Sequence, residues 1–249
     1  MSDRINEEEN FHDAKFSAII EDNSVASKIE DSIYENLNDS TFNYFRNLIS
    51  RSVVNKNVLE CGCGIDDFSR TLVRDSKHYV AIDLSASSIE YQKTKKSEFY
   101  EKVEYYKMNI ENLKFENESF DIVFGQSILH HTDLKKSFGE ISRVLRPDGQ
   151  AYFLEPIKYN PIVSVYRMLT PTLRTKTEHP LTISDIQLAK KYFDNVDIKY
   201  FNFFSYITMI PYLSKKRNAI IINHLDEIFL RIIPCPIFFA TTMICIFSN

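Results

Sequence analysis

The stretch VLECGCGIDDFS, residues 58–69, decides the fold. NVLEC (57–61) is an apolar run of strand length, and Gly62 and Gly64 follow it at once. Asp66 or Asp67 can then cap a helix whose Phe68, Leu72 and Val73 share one face. Strand, sharp bend and helix in twelve residues predict the first unit of an open α/β sheet. With only five glycines in 249 residues, two that stand two positions apart are placed for a purpose. They let the backbone turn and let a ligand approach where a side chain would block it.

Outward from that loop the alternation continues. HYVAID (78–83) predicts a second strand, followed by a helix near 86–96. VEYYKM (103–108) and FDIVFG (120–125) predict the third and fourth strands. Asp133 caps a helix with Leu134, Phe138, Ile141 and Leu145 on one side, RPDG (146–149) suits a turn, and QAYFLE (150–155) is strand five. A helix over 184–193, a strand at 196–204, a helix near 218–231 and a strand at 239–247 complete the chain. Strands that alternate with helices form a mostly parallel sheet with helices on both faces. Upstream, residues 1–10 (MSDRINEEEN) are expected to be loose, and from Phe11 to about Ser52 the pattern is helical, clearest where Phe42, Phe45, Leu48 and Ile49 share one face before the first strand. The expected organisation is an N-terminal helical cap over 1–52 and one domain over 53–249. That domain carries a lid-like insertion at about 156–181, where Pro156, Pro161, Pro171 and Pro180 fall, and a helical insertion at about 211–231.

In such sheets ligands bind beyond the carboxyl ends of the strands. A dinucleotide would need G-x-G-x-x-G with its diphosphate against the helix N-terminus. Asp66 and Asp67 stand there instead and are expected to repel a diphosphate. S-adenosylmethionine (SAM) carries no phosphate, and its ammonium and sulfonium suit acidic surroundings such as Glu60. Asp83, with Leu84 beside it, ends the second strand 23 residues after Glu60 and can accept both ribose hydroxyls. Asn109 can bond an adenine edge while Ile110 covers its face, and Gln126 falls beside the expected methionine end.

VLECGCG, VAIDLS, MNIENLKFENESFDIVF, SILHH and LRPDGQAYFLEP together resemble the class I SAM-dependent methyltransferases, in particular their type 11 group. The resemblance runs through residues 57–155. It implies a Rossmann-like seven-stranded mixed sheet of order 3-2-1-4-5-7-6 with the last strand antiparallel and helices on both faces. It also implies that Glu60, Gly62 and Gly64 line the methionine moiety, that Asp83 holds the ribose and that Asn109 meets the adenine. Two positions depart from the family pattern: Asp66 replaces a third glycine, and Asn109 replaces the usual aspartate.

Methyl transfer from a sulfonium is an in-line displacement, so positioning carries much of the catalysis. A base is needed only for an acceptor that is protonated at working pH. His131 is the first candidate, because histidine titrates near neutrality and this one follows strand four. Glu155, ending strand five, is a second candidate to anchor or deprotonate an acceptor. Arg174, Glu178 and His179 in the lid, and Tyr34, Tyr159 and Tyr166, are candidate substrate contacts.

The expected activity is methylation of an O or N atom of a small molecule, with S-adenosylhomocysteine as product. The alternatives are a methyltransferase-like binding module without turnover and a methyltransferase acting on RNA or protein. A net charge of −4 and the lack of a basic stripe disfavour nucleic acid. Cys61, Cys63, Cys235 and Cys245 have no zinc-like spacing, so no metal is expected and the thiols are read as reduced, in a cytoplasmic protein. No N-terminal targeting pattern stands out. The apolar run IIPCPIFFATTMICIF (232–247) is short of the ~20 residues a membrane span needs and is broken by Pro234 and Pro236. A proline-broken connection followed by a buried strand is expected there.

Overall fold

The computed structural model describes residues 3–21, 41–95, 102–169, 175, 177–203 and 216–249. Seven strands form one sheet in the order β3-β2-β1-β4-β5-β7-β6. They are β1 (Asn57–Cys61), β2 (His78–Asp83), β3 (Val103–Lys107), β4 (Phe120–Gln126), β5 (Leu145–Pro156), β6 (Asn195–Phe201) and β7 (Thr242–Ser248). The first five run parallel, while β7 pairs antiparallel with both β5 and β6.

The central strands are apolar along their length because both faces are covered. Successive residues point to opposite sides, so Leu59, Val80, Val123 and Phe153 pack on one face and Val58, Ala81, Phe124 and Tyr152 on the other. The first face is covered by α5 (Leu134–Val144) through Phe138 and Ile141. The second is covered by the helical residues 41–52 (α2) through Phe45 and Ile49, and by α3 (Phe68–Val73) through Leu72. The Asp133 side chain caps α5 by accepting the Lys135 N–H at 3.1 Å, as its position suggests. The remaining helices are α4 (Ala86–Thr94), α6 (Pro161–Leu169), α7 (Ile183–Ala189) and α8 (Lys216–Ile232).

Two expectations are overturned. Residues 3–10 are not loose: Asp3–Glu21 form one helix, α1, laid over the strand ends and against α4. Its anchors are polar and distant in sequence, with Asp13 accepting the Ser85 hydroxyl at 2.5 Å and the Ser87 N–H at 3.1 Å. Lys107 reaches Glu9 at 2.6 Å, and Arg4 pairs with Glu111. RPDG is not a turn. α5 ends at Val144 and β5 begins at Leu145; the register then jumps from Phe120–Leu145 to Ile122–Gln150, so 146–149 bulge from a strand already under way.

The apolar C-terminal run supplies a short 3-10 turn (Pro236–Phe238) and the interior strand β7. Among the described residues no helix is long and apolar enough to cross a membrane. The proline-rich insertion contains α6 and rejoins the sheet through a bridge between Ile157 and Leu181. The four cysteines are unbonded.

Candidate active site

Four loops at the carboxyl ends of β1 to β4 meet at one cavity, and α1 roofs it. Gly62 and Gly64 line its floor with φ of +75° and +49°. The N–H groups of Gly62 and Cys63 both bond the Ile82 carbonyl, which folds the loop back over the end of β2. A side chain at Gly62 would also meet Ile128 at 2.8 Å, so both backbone angle and space require glycine.

Asp83 is buried at the cavity edge and holds the floor together. Its Oδ2 accepts the Gly64 N–H and its Oδ1 the Ser85 N–H, each at 2.8 Å. Burial pushes this carboxyl above the ordinary carboxylate range, and those two N–H groups oppose the shift. Each oxygen retains a second lone pair. Leu84, Asn109, Ile110 and Gln126 complete the wall. The Asn109 Oδ1 accepts the Glu111 N–H at 2.9 Å, which fixes the amide's orientation.

The roof was invisible to a reading of the first ten residues as loose. Ile5, Glu8, His12 and Phe16 all line the cavity. Their spacings of 3, 4 and 4 put them on one helical face, and that is the signal that identifies them. Glu8 is the most constrained. Its Oε1 accepts the hydroxyls of Thr175 (2.7 Å) and Thr177 (2.5 Å), and its Oε2 lies 3.0 Å from His131 Nδ1. Burial alone would raise the Glu8 carboxyl, but His131, Thr177 and Thr175 outweigh it and hold it at about 2. Burial pushes His12 down to about 4, helped by the neighbouring His131.

Two expected site residues stand elsewhere. Glu60 does not line the cavity; it is buried beneath it and accepts the Tyr79 hydroxyl at 2.8 Å. Glu155 is fully buried, and its carboxylate accepts Ile128 N–H (3.0 Å), Leu129 N–H (2.8 Å) and His130 Nδ1–H (2.6 Å). It braces the turn that presents His131 and does not face an acceptor. His130 does not line the cavity, while His131 does. Asp66 and Asp67 do not face the cavity either. Arg46 pairs with Asp66 at 2.7 Å, and Arg70 and Lys95 hold Asp67 at 2.7 and 2.8 Å. The negative charge at the site comes from Asp83, Glu8 and Glu111.

Of the outer candidates, Tyr159 accepts the Ile183 N–H at 3.1 Å and packs on Phe238, which makes it a packing residue. Glu178 pairs with Arg167 at 2.6 Å, and His179 is exposed. Tyr34, Arg174 and the Tyr166 side chain lie outside the described residues.

Comparison with known proteins agrees with this fold. The model of a methyltransferase domain family matches residues 59–153, which span β1 to most of β5. A malonyl-[acyl-carrier protein] O-methyltransferase from Pectobacterium atrosepticum is 29% identical over 131 residues, 51% of this chain and 50% of that protein. The ubiquinone/menaquinone biosynthesis C-methyltransferase UbiE of Hahella chejuensis is 31% identical over 166 residues, 59% of this chain and 66% of the relative. The chain thus spans from half to just under two thirds of these relatives. Phosphoethanolamine N-methyltransferase 2 of Haemonchus contortus, solved with phosphomonomethylethanolamine and S-adenosylhomocysteine, shares the fold at a TM-score of 0.56. It is 16% identical and covers 87% of this chain and 56% of its own.

Proposed function

This chain carries a class I SAM-dependent methyltransferase domain, and on that premise we propose that it binds SAM beneath α1 and methylates an O or N atom of a small molecule. The observation that carries the proposal is convergence. Gly62 and Gly64, Asp83, Asn109 and Gln126 come from four separate loops and line one cavity. Asp83 offers acceptors to the ribose hydroxyls. The Asn109 amide, its oxygen engaged by Glu111 N–H, turns its NH2 donors to the adenine. The cationic methionine end meets a wall whose carboxylates outnumber its one arginine, Arg4, itself paired with Glu111.

In the reaction, an acceptor lone pair forms a bond to the methyl carbon as the carbon–sulfur bond breaks. The sulfur keeps the electron pair and leaves as the thioether of S-adenosylhomocysteine. A hydroxyl or ammonium acceptor must also lose a proton, and His131 is the cavity residue placed to manage it. α1 covers the cavity, and a covered concave site favours a small molecule over a polymer.

Calorimetry with SAM, S-adenosylhomocysteine and NAD tests the cofactor assignment. Binding of the first two alone is expected; binding of NAD alone, or of none, overturns it. Labelled-methyl transfer to a panel of hydroxyl, amine and activated-carbon acceptors then tests the atom. Transfer only to carbon would correct the O/N assignment, and SAM binding without transfer to any acceptor would favour a binding module.

A further inference from the structure

Glu8 and His12 lie one turn apart on α1, and His131 faces them from the turn after β4. Glu8 Oε2 stands 3.0 Å from His131 Nδ1 and 3.7 Å from His12 Nε2, and one donor atom from each residue falls within 4.8 Å of the others. We propose that these three side chains form a binding site for a divalent transition-metal cation of the zinc type.

Several independent features support the site. A tetrahedral ion with bonds of ~2.05 Å needs ligand atoms about 3.3 Å apart, and the two measured separations bracket that value. Glu8 Oε2 and His131 Nδ1 are buried, and beyond their own 3.0 Å approach neither has a further polar partner at hydrogen-bond geometry among the described residues. Two buried polar atoms held this close, with no further donor or acceptor to complete them, suit a cation between them. The other Glu8 oxygen is held by Thr175 and Thr177, the kind of outer support that orients a ligating carboxylate.

The donor set also selects the ion. Two imidazoles and one carboxylate suit zinc or a neighbouring first-row metal, whereas magnesium and calcium prefer oxygen. A second grouping, His130, His131 and Glu178, is less apt, because His130 Nδ1 is committed to Glu155 and Glu178 to Arg167. Since all three proposed ligands line the cavity, a fourth coordination position is open to it. Resting on the methyl-transfer reading, that position would take an acceptor hydroxyl, whose acidity rises on coordination. The ion would then lower the pKa of that hydroxyl, its proton would leave to solvent water, and His131 would hold the ion instead of acting as a free base.

The test uses the full chain without a histidine tag. Calorimetry with Zn2+ and the visible spectrum with Co2+ should give one ion per chain and the intense bands of a four-coordinate cobalt site. Glu8→Gln, His12→Ala and His131→Ala should each weaken Zn2+ binding at least 10-fold. Failure to bind either ion, or affinity unchanged in these variants, overturns the site. If a variant does not fold, the wild-type cobalt spectrum decides, and weak bands of a fully hydrated ion count against the proposal. SAM calorimetry on the same samples separates the two assignments. SAM binding without an ion removes only the metal site; ion binding without SAM removes only the methyl-transfer reading.

Discussion

Replacing Glu155 by alanine should destabilise the fold, because this carboxylate holds a turn and is not exposed to an acceptor. It is 0% exposed and receives three donors at 2.6 to 3.0 Å: two backbone N–H groups and His130 Nδ1–H. Alanine leaves all three donors buried and unpaired, at about 1–3 kcal/mol each before water or rearrangement relieves them. Rearrangement and entering water relieve part of that cost, and a net loss of about 3–5 kcal/mol is expected. For a chain of this size each kcal/mol lowers Tm by roughly 2–4 °C, so Tm should fall by about 10 °C. Glu155→Gln keeps one oxygen for the two N–H groups, and His130 can change tautomer to accept from the new amide, so a loss of about 1–2 kcal/mol is expected. Thermal and chemical denaturation of both variants measure this. If the alanine variant melts within 2 °C of the parent while the glutamine variant loses turnover but still binds SAM, the bracing role is refuted and Glu155 belongs with the acceptor.

Gly62→Ala forces a left-handed angle on a residue with a side chain, at about 1–2 kcal/mol, and presses on Ile128; SAM affinity should drop about 10-fold by calorimetry, and unchanged affinity would remove the floor from the site. Asp83→Asn sets an NH2 against one of the two N–H groups it now accepts, and should weaken SAM binding 10- to 100-fold while the chain stays folded by circular dichroism. Acid should loosen the roof. Folding depresses the His12 pKa from 6.5 to about 4, so docking of α1 is fully supported above pH 6.5 and weakens as pH falls toward 4, by at most about 3 kcal/mol. Buried His130 is shifted in the same direction, and Glu8, held at about 2, adds its loss only below pH 4.5. Hydrogen exchange in α1, corrected for intrinsic rate, should be faster at pH 5.5 than at pH 7.5; equal protection would contradict it.

The sheet was legible in the sequence because its strands are buried on both faces. NVLEC and HYVAID coincide with β1 and β2 to the residue. The four loops were legible because each follows such a strand. What escaped was held by polar contacts across great sequence distance. α1 offers only Ile5 and Phe16 to the cavity as apolar groups, and its anchors Glu111, Lys107 and Ser85 lie about 70 to 110 residues away. Periodicity of apolar residues cannot register ion pairs. The same blindness misplaced the charge of Asp66 and Asp67, since Arg46 and Lys95 neutralise them from other helices; Arg70, three residues after Asp67, was the one partner within local reach. Glu155 looked available because a strand end usually is; only the coordinates reveal three donors already converging on it.

The antiparallel strand β7 has a consequence for synthesis. Thr242–Ser248 touches no part of the cavity, yet it is the wedge between β5 and β6. A ribosome that has completed everything through Ala240 has made every candidate site residue while β6 still has no neighbour to zip onto. A chain cut just before Thr242 would therefore leave the chemistry intact on paper and an open, adhesive seam in the molecule.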